Sequence, residues 1–138
     1  MSPVLLDASV VVALLDRNEQ CHERCVMALQ ELQAPLVTCE AVVAESCYLL
    51  RKLPPAVDAI LENVARGVFQ IPFQLSRTAT EVSQILRTYR DVPANLADAC
   101  LIYAAGQLGV GEILTLDHDF EIYRWGRGKP FHLLVSLH

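Results

Sequence analysis

Positive charge is scarce in this chain: eleven Lys and Arg stand against sixteen Asp and Glu, a formal net charge of -5 at pH 7. Nucleic-acid-binding domains are usually basic, so this balance argues against a polyanionic partner unless bound cations neutralise several of the acids. Paired cysteines are missing too. Cys21, Cys25, Cys39, Cys47 and Cys100 are odd in number and include no CxxC pair, which speaks against a disulfide framework and predicts reduced thiols packed as small core residues. Cys21, His22 and Cys25 have the spacing of a zinc half-site, but no second half follows, and they read as helix packing. No internal repeat or low-complexity segment is present. The longest apolar stretch, 92–111, is broken by Pro93, Asp98 and three glycines, so it does not predict a membrane span. The N-terminal apolar run has no basic flank and carries Asp7, unlike a secretory signal. These absences predict a cytoplasmic protein with no membrane partner.

Apolar residues, by contrast, make up 53% of the 138, with 20% charged. That is enough to fill one core without disulfides or structural metal, and a single domain over residues 1–138 is expected. The apolar fraction also predicts that part of the surface is covered by a partner or by a second copy, with a homodimer expected.

Pro3 to Leu6 followed by Ala8 to Leu15 reads as a buried strand passing directly into an apolar helix, with Asp7 at the junction. A helix is expected over 20–33, a strand over 35–37 and a helix over 38–51. Pro54 and Pro55 suit a first helical turn and start a helix running to about Arg66, closed by Gly67. Residues 68–73 predict a strand and 76–90 an amphipathic helix, with Thr78 and Glu81 at capping-box spacing. Residues 95–107 form a helix apolar on nearly every face, hence buried; 112–116 and 131–135 complete the strands. Strands alternating with helices predict a three-layer α/β/α domain around a parallel sheet.

The acids fall where acids are costly. Asp7 is the only charge between Val4 and Leu15, and Asp98 the only one between Val92 and Gly111. Glu40 and Glu45 lie within 35–50, and "LTLDHDF" ends in Asp117 and Asp119. None of these segments contains Lys or Arg. A buried carboxylate without a partner costs several kcal/mol, so a positive charge from elsewhere must meet them, and a divalent cation supplies the most charge per volume. In a parallel α/β sheet, sites form beyond the carboxyl ends of the strands, where Asp7 and Asp117 would lie. Asp98 belongs to the first turn of its helix and also falls near that rim. If "LTLDHDF" stays extended, Asp117 and Asp119 share one face.

Structural readings compete. Asp7 can cap the helix it precedes, Asp98 can form a reciprocal cap with Asn95, Glu45 can be solvated, Asp117 and Asp119 can open a turn, and Ser9 and Thr115 can be ordinary strand-end hydroxyls. Glu40, in a first helical turn, reads as structural.

"LLDASVVVALL", "AVVAESCYLL", "NLADACLIYAA" and "LTLDHDF", in this order, resemble the PIN-domain family over essentially the whole chain, most closely its VapC-like members. The resemblance implies a Rossmann-like fold and an Mg²⁺- or Mn²⁺-dependent ribonuclease, with Asp7, Glu45, Asp98 and Asp117 as the core acids. It implies Asp119 as an auxiliary metal ligand, and Ser9 and Thr115 as hydroxyls flanking the acids. Similar sequences usually accompany an antitoxin, so an antitoxin protein is an expected partner beside RNA. Asp7, Asp98 and Asp117 would hold metal directly; Glu45 would act through water or on a second ion. "YRWGRGK" offers Arg124, Arg127 and Lys129 beside Tyr123 and Trp125, either a phosphate-and-stacking patch or a solvated loop. A haloacid-dehalogenase-like phosphatase would need an acid where Ser9 stands. The rival from another class is a catalytically silent module whose acidic pocket receives a basic side chain of a partner.

Overall fold

A computed structural model describes residues 2–137. Strand β1 (Val4–Leu6) is fully buried, as its unbroken apolar run requires. It turns at Asp7 into helix α1 (Ala8–Leu15), and α2 (His22–Gln30) follows. Strand β2 (Leu36–Val37) leads to α3 (Glu40–Leu49), and a turn over 50–52 leads from it into α4 (Pro54–Ala65). Both prolines of α4 occupy its first turn, where a missing N–H costs nothing, and Gly67 beyond its end adopts φ +77°. Strand β3 (Phe69–Gln70), α5 (Leu75–Thr88), α6 (Leu96–Leu108) and β4 (Glu112–Leu114) come next. A 3₁₀ turn (His118–Glu121) then precedes β5 (Arg124–Trp125), β6 (Lys129–Pro130) and β7 (His132–Leu133).

The main sheet has the order β3-β2-β1-β4-β7, every neighbouring pair parallel, with helices flanking it as expected for an α/β/α fold. Leu5 pairs with both Val37 and Ile113, which centres β1. The chain winds outward from β1 to β3, then crosses back to lay β4 on the other side of β1. That reversal puts the ends of β1 and β4 side by side at a topological switch point. Leu5, Leu6, Val10, Val11, Leu101, Ile113 and Leu114 fill the core beneath it. Among the described residues, no helix is long and apolar enough to cross a membrane.

Three local expectations need correction, and one strand pair is added to them. Thr78 does not cap α5: the helix starts at Leu75, one turn earlier, and the Thr78 hydroxyl donates back to the Gln74 carbonyl at 3.1 Å. Strand β4 stops at Leu114, because the Thr115 hydroxyl and the following N–H groups turn to side chains of the site instead of a neighbouring strand. The strand expected over 68–73 keeps only Phe69 and Gln70. The antiparallel pair β5–β6 was not expected; Gly126 and Gly128, at φ +57° and +80°, make its tight reversal.

Candidate functional site

Asp7 is 5% exposed and carries the densest set of bonds in the site. As N-cap of α1 its Oδ1 accepts from the Ala8 N–H at 2.8 Å. Its Oδ2 accepts from the Thr115 hydroxyl at 2.7 Å and the Ser9 hydroxyl at 3.1 Å. Both hydroxyls relay further: Ser9 Oγ accepts the Leu116 N–H at 2.9 Å and Thr115 Oγ1 the Asp117 N–H at 3.0 Å. Two small alcohols thus bolt the end of β1 to the segment after β4. The helix-cap reading of Asp7 holds, and the cap leaves its carboxylate lining a cleft.

Asp98, also 5% exposed, sits in the first turn of α6. The reciprocal cap with Asn95 forms: Asn95 Oδ1 accepts from the Asp98 N–H at 2.8 Å, and Asp98 Oδ2 accepts from the Asn95 N–H at 3.4 Å. The same Oδ2 accepts a 2.9 Å bond from the Tyr123 hydroxyl. Asp117 caps the 3₁₀ turn, its Oδ1 accepting from the Asp119 N–H at 2.9 Å. Glu45, half-buried on α3, has no hydrogen-bond partner among the described residues.

These four carboxylates line one cleft of about 150 Å³, together with Ser9, Leu49 and Asn95, and neither Lys nor Arg lines it. The electrostatics follow. Burial raises the Asp7 carboxyl, with Asp117 adding to the rise and the Thr115, Ala8 and Ser9 donors opposing it. Burial pushes Asp98 up to about 6, with Asp7 and Asp117 reinforcing and the Tyr123 hydroxyl opposing. Burial raises Glu45 as well, followed by the charges of Asp7 and Asp117. Each of the three acids feels Asp117, and Glu45 and Asp98 both feel Asp7.

The expected hollow is therefore a shared cleft, but not a ready-made ligand set. Among the described residues, no group of three His, Cys, Asp or Glu stands close enough to hold a metal ion as they lie. Each aspartate is held by its own protein donors, and like charges favour separation. Asp119 is half-buried in the 3₁₀ turn and does not line the cleft; the extended run that would have put it beside Asp117 curls up after Asp117. Glu40 is exposed at the start of α3, where its charge suits the helix dipole, as its structural reading requires. It lines a separate, largely apolar cavity of about 220 Å³ between α3, α5 and α6, which none of the four cleft acids touches.

The "YRWGRGK" segment divides. Tyr123 is fully buried and cannot stack on a ligand; its role is to donate to Asp98. That role has no signal in the sequence, because the two residues meet only through packing of α6 against the segment after the 3₁₀ turn. Arg124 spends Nη1 on the carbonyls of Glu121, Ile122 and Tyr123, at 3.0, 3.1 and 2.9 Å. Lys129 lies 5.1 Å from the Trp125 ring centroid, and Arg127 is exposed.

A model of the PIN domain matches residues 4–126. Among solved structures, the fold is similar to that of VapC20 from Mycobacterium tuberculosis, described as a sarcin-ricin loop cleaving toxin, with a TM-score of 0.79 and 16% identity over 86% of this chain and 93% of that one. No curated protein matches. The family match runs through all four cleft carboxylates, and the parallel sheet that brings them together is the one the similar structure shares: the chain belongs to the PIN domain family.

Proposed function

We propose that this chain is an Mg²⁺- or Mn²⁺-dependent endoribonuclease, the toxin of a toxin–antitoxin pair. The observation that carries this is the cleft of Asp7, Glu45, Asp98 and Asp117 at the switch point, four hard oxygen donors without a cationic neighbour. Such a donor set fits a hard divalent cation and suits neither a soft metal nor an organic cofactor. The likeness to VapC20, described as a sarcin-ricin loop cleaving toxin, supports RNA as the substrate class.

Asp7, Asp98 and Asp117 would hold the metal, with Asp119 available from the adjoining turn. Bound there, the ion would polarise the scissile phosphate and lower the pKa of an attacking water. The protein does the rest. Glu45, with no hydrogen-bond partner among the described residues, would orient the water and take its proton on a carboxylate oxygen. Ser9 and Thr115 keep Asp7 aimed into the cleft, and Tyr123 does the same for Asp98. Hydrolysis in this sense leaves 5′ phosphate and 3′ hydroxyl ends. An antitoxin protein and a second copy of the chain are the proposed partners; exposed Met27, Leu53, Leu61 and Val68 support an apolar contact.

The test is cleavage of total cellular RNA with and without Mn²⁺, wild type against Asp7→Asn, with fragment ends mapped. Equal cutting by both proteins sinks the assignment. The spacing of the acids, which at present brings no three to ligating distance, favours a second reading: a silent module whose cleft receives a partner's Arg or Lys. No cleavage by wild type, together with weaker partner binding by Asp98→Asn, selects the module.

A further inference from the structure

An acidic cleft repels the strand it is meant to cut, so cationic and stacking groups must lie beside it. Helix α3 leads from the cleft to such a group. Glu45 and Leu49 line the cleft, and between them Tyr48 is 63% exposed. The Arg51 guanidinium carbon lies 4.2 Å from the Tyr48 ring centroid, and Arg51 Nη1 donates to the Tyr48 carbonyl at 2.9 Å. The Tyr48 carbonyl thus helps fix the arginine over the ring. Its remaining N–H donors have no acceptor among the described residues. Lys52 follows, also exposed.

From this arrangement we infer that Tyr48 and Arg51 form a docking platform for single-stranded RNA at the mouth of the cleft, Tyr48 stacking on a base and Arg51 with Lys52 meeting the adjoining phosphates. The inference rests on the ribonuclease reading and adds where the substrate strand lies. Aromatic rings bind any base through its π face, and a guanidinium already seated on the ring loses little freedom when a phosphate arrives. Arg51 covers one face of the ring, leaving the other for the base.

Binding and cutting are measured separately. Fluorescence anisotropy of a short fluorescein-labelled single-stranded RNA is followed on wild type, Tyr48→Ala, Tyr48→Phe, Arg51→Ala and Arg51→Lys, and cleavage of the same RNA is followed in Mn²⁺. Tyr48→Ala should weaken binding about tenfold and raise KM with kcat little changed, while Tyr48→Phe keeps the stack and binds as wild type. Arg51→Ala should lower the slope of log affinity against log salt by about one, and Arg51→Lys should restore that slope. Unchanged binding by Tyr48→Ala, with wild type binding and cutting, overturns the platform and leaves the ribonuclease standing, Tyr48 then being a surface for a protein partner. Weaker binding by Tyr48→Ala with no cutting by wild type keeps the platform and removes the ribonuclease. Failure of wild type to bind the RNA removes both.

Discussion

At the scale of the residue, Asp98 shows how burying an acid costs stability. Its carboxyl, pushed up to about 6 by burial and by Asp7 and Asp117, keeps its proton in the folded state over a range where the unfolded chain, near 3.8, has lost it. Folded molecules therefore bind more protons between about pH 4 and 6, and this group's contribution falls as pH rises through that window. In chelator, the thermal midpoint of wild type should drop from pH 5 to pH 7, and that of Asp98→Asn should drop less and exceed wild type at pH 7; calorimetry at the two pH values checks both. The same substitution should abolish Mn²⁺-dependent cleavage. Tyr123 acts in the other direction, since its donated bond favours the ionised Asp98. Tyr123→Phe should move the acid limb of the cleavage profile to higher pH, and an unmoved limb in a folded variant would deny the tyrosine any positioning role.

At the scale of the element, the site exists because two strand ends are locked together. Thr115 donates to Asp7 at 2.7 Å and accepts from the Asp117 N–H, whereas Ser9 makes the longer 3.1 Å contact. Bonds to a charged group are worth roughly 1.5 to 3 kcal/mol. Thr115→Val, similar in shape but unable to bond, should cost about 2 kcal/mol or more in denaturant titration, and more than Ser9→Ala. The β5–β6 pair is anchored differently. A Cβ at Gly111 would run into the Trp125 indole, whose Nε1 donates to the Pro130 carbonyl at 3.0 Å. Gly111→Ala should destabilise by about 1 to 3 kcal/mol and shift Trp125 fluorescence, because the ring must leave its seat against the backbone.

At the scale of the whole molecule, the charge of -5 and the acid cleft belong together: four of the sixteen acids face one small cavity. A divalent cation bound only by the folded state stabilises it by mass action, about 2.7 kcal/mol when free metal exceeds its dissociation constant a hundredfold. Chelator-treated protein should therefore gain thermal stability on titration with Mn²⁺, and Asp7→Asn should gain little; equal gains would place the binding elsewhere. Outside the cleft the remaining twelve acids are nearly matched by the eleven Lys and Arg, Arg51 among them, and apolar side chains such as Leu53 and Leu61 are exposed beside them.

The residue sequence by itself determined the alternation of strands and helices, the helix starts at Pro54 and Asn95, the end at Gly67, and the acids isolated in apolar runs. Those features follow from local periodicity, caps and breakers, and they came through with shifts of up to three residues at the ends, as where the helix expected over 20–33 spans His22–Gln30 and the strand expected over 68–73 keeps Phe69–Gln70. Asp7 and Asp98 stood out as lone charges, because an unpaired charge in an apolar stretch is costly wherever it ends up, and the resemblance to the PIN-domain family added Glu45 and Asp117. Only the tertiary structure decided that β4 lies beside β1, so that Thr115 reaches Asp7 across 108 positions of chain. It alone turned Asp119 away from the cleft by curling 118–121, and buried Tyr123 against Asp98. Strand order and helix packing leave no period in the sequence, since they are set by which surfaces exclude water together, and that is a property of the folded whole.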